Sequence, residues 1–341
     1  MPRPDFVRDI INSNGNISPE DYKSRMESAV RYVVALQENA GLDIITDGEW
    51  WRKSYIGIIA ELAHGFELGF NPEDGRPWTI VTDKLSPKNP GFIAQEVDFL
   101  KKITKKKIKA TLPAPALLGE RMWDPEKSKK AYPTRESFVE ACVPILKKEL
   151  ELLAHKGAAI VQIDDPYLCL FVDHNVRKQY DDAEKASDFA VDMVNKMVDG
   201  VKGLKLAVHL CRRAGARVRG EKQHRGGYGP ILKQLNKLNV EHLTMEFTAP
   251  DSGDVSVFKD LRDDFEIGLG CVSCHPGEIF SADTIVSRVS QACAVLTPER
   301  LTLNPDCGFA PGSGARVDID EVYLKLKNEV EAAQMLREKY A

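Results

Sequence analysis

At 341 residues, with 43% hydrophobic and 29% charged residues, the chain has the make-up of an ordinary globular protein and is long enough to bury a large core. No apolar run is long enough to span a membrane and the N-terminus lacks the apolar core of a signal peptide, so a cytoplasmic protein is expected. A formal net charge of −4 argues against a general nucleic-acid binder, and seven cysteines, an odd number without a secretion signal, read as reduced thiols and not as a disulfide framework.

Ser18-Pro19-Glu20-Asp21 has the chemistry of a helix start, and the periodic run to about Asn39 followed by Gly41 supplies the body and the stop. A short strand, Leu42 to Thr46, then closes on Asp47-Gly48-Glu49. From Trp50 to about Asn89 the pattern is irregular and rich in aromatics, Gly and Pro, which predicts an extended excursion covering part of a site. Strand Lys107 to Leu112, helix Thr134 to Lys156 and strand Ala158 to Ile163 follow. Four more helix and strand pairs are expected: Ala183 to Gly200 with Leu204 to Val208; Gly229 to Leu238 with His242 to Met245; Val255 to Leu261 with Phe265 to Cys271; and Ala282 to Leu296 with Leu301 to Leu303. A helix from Ile319 to Tyr340 ends the chain. Strands alternating with helices, with polar residues at the C-terminal end of each strand, predict an α/β fold of the (β/α)8 barrel type rather than an open sheet. The whole chain, 1–341, reads as one barrel domain with an insertion at about 50–90.

In barrels of this kind the C-terminal rim carries the chemistry, so residues far apart in sequence converge there. The apolar run Leu204 to Val208 leads straight into His209-Leu210-Cys211. Residues i and i+2 of a strand share a face, which lets His209 and Cys211 reach one ion. The next strand ends in Met245-Glu246, and a late strand runs into Asn304-Pro305-Asp306-Cys307-Gly308. His209, Cys211, Glu246 and Cys307 form a mixed N, S and O donor set suited to zinc, Zn2+. Taken singly, each has a plain structural reading, as a buried histidine, a core thiol or a structural carboxylate. Their joint placement at three strand ends favours the metal.

This set, together with Asp47-Gly48-Glu49 and Gln162-Ile163-Asp164-Asp165-Pro166, resembles the catalytic domain of cobalamin-independent methionine synthases along nearly the whole chain. The resemblance implies a zinc site at His209, Cys211, Glu246 and Cys307, with Glu49 and Asp164 holding the ammonium group of a thiol substrate. Asp47 is a further substrate contact or a turn residue. Asp164 and His275 are the expected catalytic residues beside the thiol. The chain begins at Met1-Pro2-Arg3-Pro4, matching the tail of the Gly-Ser-Phe/Tyr-Pro-Arg type motif that ends the family's first strand, so that strand is expected to be truncated or replaced. The family's Ile-Asp-Glu-Pro is Ile-Asp-Asp-Pro here, shorter by a methylene at Asp165.

The expected activity is thiol activation followed by alkylation, most simply methyl transfer to homocysteine or a similar thiol from methylfolate or a methylcorrinoid. His209-Leu210-Cys211-Arg212-Arg213 and the segment Glu246 to Asp254 look closer to a short branch that includes epoxyalkane:coenzyme M transferases, which makes thiol addition to an epoxide the alternative. A zinc-binding barrel without catalysis is the reading from another class. The basic run Arg212, Arg213, Arg217, Arg219, Lys222, His224 and Arg225 is expected to form a loop over the site, with Arg212 foremost among residues that bind an anionic group. Trp50, Trp51 and Tyr55 are weighed as a stacking surface for a flat donor against a capped hydrophobic rim. Cys271-Val272-Ser273-Cys274 has the spacing of a metal or redox pair but lacks the second pair that a closed zinc site needs. No nucleic-acid or membrane partner is expected, and a homo-oligomer is compatible with this reading.

Overall fold

The computed structural model describes residues 1–13, 15–71, 77–212, 224–309 and 317–340. Seven parallel strands form one curled sheet, ordered β1 (Ile44–Ile45), β4 (Lys107–Pro113), β5 (Ile160–Asp164), β6 (Lys205–Leu210), β7 (His242–Met245), β8 (Glu266–Val272) and β9 (Leu301–Pro305). β2 (Ala63–Phe70) and β3 (Pro77–Pro87) make a separate antiparallel hairpin. The architecture is a (β/α)8-type barrel without its first strand: among the described residues β1 pairs with β4 alone and β9 with β8 alone. In the opening between those edges the N-terminal segment lies across the rim. The Met1 ammonium donates to Gly48 O at 3.0 Å, and Arg3 Nη2 donates to Glu49 O at 2.7 Å.

Local chemistry explains the helix ends. Ser18 Oγ accepts the Asp21 N–H at 3.0 Å and Pro19 opens helix Pro19–Ala40, while Gly41, at φ 95°, supplies the left-handed residue that stops it. Thr134 and Ser137 form a reciprocal cap on helix Arg135–Lys156. Among the described helices of eight residues or more, three escaped the periodicity reading: Asp5–Asn12, Ala94–Ile103 and Pro115–Met122. In the last, Pro115 is a helix-opening residue two positions after β4 ends. The helix expected from Gly229 to Leu238 is reduced to a 3₁₀ turn, Gly229–Ile231, and one α turn, Leu232–Leu235. Glycines at 226, 227 and 229 and Pro230 leave too short a good helical stretch there.

The excursion after β1 is the hairpin. Phe66 meets Phe138 edge-on at 6.2 Å, and Tyr132 packs on the same ring, which seats the hairpin on helix Arg135–Lys156. Trp50 packs against Phe6 and Tyr32, and Trp51 against Phe99, so both indoles serve the hydrophobic rim and core.

Register decides what the barrel interior contains. Asp164 pairs with His209 and His209 with Thr244, so inward-facing polar residues fall into level layers. Lys109, Gln162, His242 and Thr244 stand where barrels usually place branched apolar side chains. They line a cavity of about 1430 Å³ reaching from the strand starts to the rim.

Candidate metal centre and substrate cavity

His209 faces inward near the end of β6 and Cys211 follows two residues on, as strand alternation requires. Glu246 comes directly after β7, and Cys307 two residues after β9. One ligand atom from each of His209, Cys211, Glu246 and Cys307 lies within 4.8 Å of all the others. The two thiols are 3.6 Å apart. His209 Nδ1 contacts Thr244 O at 3.3 Å, which assigns the ligand role to Nε2, a buried ring nitrogen with no hydrogen-bond partner. The Cys211 contact and burial together push the Cys307 thiol well above its ordinary range, and burial does the same to the Glu246 carboxyl. Such a group of donors, dry and crowded, fits one divalent cation of the zinc type, which would replace protons on sulfur and oxygen.

Residues without a role in the sequence reading hold this geometry. Asp306, fully buried, accepts the Phe247 N–H at 2.8 Å and the Thr248 N–H at 3.0 Å, tying the loop that carries Glu246 to the strand end that carries Cys307. Tyr228 Oη accepts the Glu246 N–H at 2.9 Å. A Cβ at Gly270 would stand 2.3 Å from Asp306 Oδ1 and 2.6 Å from Met245 O, so only glycine lets the two strand ends approach. The Asp in Asn-Pro-Asp-Cys-Gly was visible in the sequence; its tertiary partner was not.

The carboxylates predicted to grip a substrate line the same cavity: Asp47, Glu49 and Asp164. Glu49 has φ 58°, the one non-glycine residue at positive φ among those described. Asp47 Oδ1 accepts its N–H at 2.9 Å and so holds the strained turn, while Asp47 Oδ2 is buried without a hydrogen-bond partner. The Glu49 carboxylate accepts from the Thr111 hydroxyl at 2.5 Å and from Arg52 Nη1 at 3.4 Å. Arg52 is itself buried in a two-pronged pair with Glu96, at 2.9 and 2.7 Å. Burial alone would raise the Glu49 pKa, but Arg52 and the Thr111 hydroxyl hold it below the usual range, keeping an anion at the cavity wall. Asp164, accepting from Gln162 Nε2 at 2.7 Å, is raised by burial to about 6 despite the pull of His209. Asp165 instead accepts the Leu168 N–H at 2.9 Å and serves as a turn residue.

Two expected site residues are not brought into the cavity. Arg212 is completely buried, and its Nη2 donates to the carbonyls of His224, Gly226 and Asp251 while the guanidinium lies over Tyr228. Through Nη2 it clamps the polypeptide beside the centre, and its side chain does not line the cavity. Its own N–H donates to Glu246 Oε1 at 2.9 Å. His275 stands outside the cavity wall, since the chain turns outward after β8: its N–H donates to Ser273 Oγ and its ring meets Pro276 O at 3.1 Å. The remainder of the basic run, 213–223, lies outside the described residues. Cys271 and Cys274 are buried and do not belong to the four-donor group. Tyr55 and Arg121 line the cavity without having been singled out together by any motif.

A barrel of parallel strands thus brings an imidazole, two thiols and a carboxylate together at its C-terminal rim. The model of the cobalamin-independent synthase catalytic domain matches residues 7–335, and the chain belongs to that family. It is 27% identical over 330 residues to a methionine synthase of Pyrococcus horikoshii, covering 95% of this chain and 86% of the relative, and 28% identical over 330 residues to that of Pyrococcus abyssi, with the same coverage. In fold it is similar to a B12-independent methionine synthase from Shewanella sp. W3-18-1 in complex with selenomethionine, with a TM-score of 0.75 at 19% identity over 95% of this chain and 91% of the other. A putative vitamin-B12 independent methionine synthase from Listeria monocytogenes gives a TM-score of 0.73 at 23% identity over 98% and 95%.

Proposed function

We propose that the chain is a zinc-dependent methyltransferase that moves a methyl group onto the sulfur of homocysteine or a closely similar thiol. The observation that carries this reading is the convergence of His209, Cys211, Glu246 and Cys307 within 4.8 Å, beside the cavity-lining carboxylates Glu49 and Asp164. A bound zinc ion would lower the pKa of a substrate thiol and supply it as a nucleophile at neutral pH. Glu49, ionised and held by Thr111 and Arg52, receives the substrate ammonium, with Asp164 as its second anchor. In the transfer a sulfur–carbon bond forms, the bond from the methyl carbon to its donor breaks, and the donor leaves with that electron pair.

The test measures zinc in protein purified without added metal, for wild type and for Cys211→Ser and Cys307→Ser, and then assays methionine formation from homocysteine with methylfolate or methylcobalamin. About one zinc per chain, lost in both variants, with methionine formed only by wild type, is the expected result. Wild type that takes up no zinc on reconstitution, or loaded enzyme that makes no methionine from either donor, overturns the proposal.

A further inference from the structure

We propose that Arg121, with Tyr55 beside it, receives the anionic end of a ligand lying across the metal centre, a carboxylate or another planar oxyanion. The inference deepens the thiol-transfer reading and rests on it.

The rim half of the cavity is acidic, with Asp47, Glu49 and Asp164 grouped around the thiols. A ligand whose sulfur meets the metal donors and whose ammonium meets those carboxylates has no place there for a negative group unless a cation faces it. Among the described residues, Lys107 and Lys109 belong to the first half of β4 and Lys205 opens β6, so all three stand toward the other end of the barrel, and Arg337 comes from the C-terminal helix. At the rim the Met1 ammonium is buried and already donates to Gly48 O, which leaves Arg121 as the lining side-chain cation, among the described residues, carried by an element that follows a strand's C-terminal end. Its helix, Pro115–Met122, starts two residues after β4 stops and so overhangs the rim.

Its neighbours leave the guanidinium usable. Its ion pair with the adjacent Glu120 runs through Nε, at 2.6 Å, and both side chains are substantially exposed, the kind of surface pair that contributes little. The two terminal nitrogens of the fork are not engaged by that pair, and a planar fork matches a two-oxygen anion. Tyr55 links Arg121 to the centre. Its phenol lies within electrostatic reach of Arg121 as well as of Asp164, Cys211 and Cys307, and it lines the same cavity. Arg212, the arginine that sequence proximity favoured, is completely buried and does not line the cavity, so the role falls to Arg121, far earlier in the chain.

The anion has two sources, the thiol substrate's own carboxylate or the acidic tail of the methyl donor, and calorimetric titration separates them. Zinc-loaded wild type, Arg121→Met and Arg121→Lys are titrated with L-homocysteine, with the neutral thiol 2-mercaptoethanol, and with methylfolate bearing one or three glutamates. If the thiol is the source, Arg121→Met weakens homocysteine binding about tenfold or more, spares 2-mercaptoethanol within twofold, and Arg121→Lys keeps part of the affinity. If the donor is the source, both thiols are spared and methylfolate weakens instead. Either pattern supports the proposal. All ligands within twofold of wild type in Arg121→Met overturns it and leaves thiol transfer standing. Wild type that binds neither thiol but binds methylfolate, with a loss in Arg121→Met, removes the thiol reading and keeps the anion site. A wild type that binds none of the ligands overturns both.

Discussion

Glu49 shows how much support one carboxylate needs to stay ionised inside a barrel. Its backbone is strained, its N–H is taken by Asp47, and its charge is balanced by Arg52 and the Thr111 hydroxyl. A hydrogen bond to a charged group is worth about 1.5–3 kcal/mol. Thr111→Val should therefore raise the KM for the thiol roughly tenfold, leave zinc content unchanged, and be rescued by Thr111→Ser, whose hydroxyl reaches the same oxygen. Steady-state kinetics with metal analysis reads this, and an unchanged KM would show that Thr111 does not position Glu49. Strand alternation, read from the amino-acid sequence, puts His209 and Cys211 on one face, and the four residues expected to be donors lie within 4.8 Å of one another. Sequence reasoning misplaced Arg212 and His275 because position beside a motif says nothing about which way a loop turns.

At the scale of elements, the site exists because strand ends approach closely. β7 and β9 are neighbours of β8, and Gly270 on β8 lets Asp306 reach across to Phe247 and Thr248. Gly270→Ala forces a methyl against Asp306 and the Met245 carbonyl, an overpacking expected to cost about 1–3 kcal/mol. It should also loosen Glu246 relative to Cys307. Denaturant unfolding together with zinc occupancy tests this; a variant as stable and as metal-loaded as wild type would refute the account. Helix caps were legible from Ser18, Gly41 and Thr134, since capping is local chemistry. The helix expected over Gly229 to Leu238 shortens to a 3₁₀ turn and one α turn because Gly229 and Pro230 occupy its first two positions, despite the apolar spacing of Ile231, Leu235 and Leu238.

On the scale of the whole molecule, the polar interior makes stability depend on pH. His242 is buried among Thr302, Thr244, Lys109 and Lys205, and burial first, then the two lysines, lowers its pKa to about 3. An unfolded histidine protonates near 6.5. Between these values the unfolded state binds a proton that the folded state refuses, so this contribution is intact above about pH 6.5 and is lost progressively as pH falls toward 3. His242→Gln should flatten that part of the stability profile by an amount on the order of 1–3 kcal/mol at pH 4. Denaturation midpoints of the two proteins between pH 4 and 8 measure the difference, and parallel profiles would dismiss it.

The alternation of strands and helices and the truncated first strand were legible in the amino-acid sequence, because periodicity, capping and strand-end placement act over a few residues, and the four residues expected to be donors do meet within 4.8 Å. It took the packed fold to show that Arg121 and Arg337 line the cavity while Arg212 clamps backbone, that Asp306 and Gly270 bring two strand ends together, and that the barrel interior is polar and hollow. Those outcomes depend on register between strands and on the direction of loops, which are set by packing partners far away along the chain.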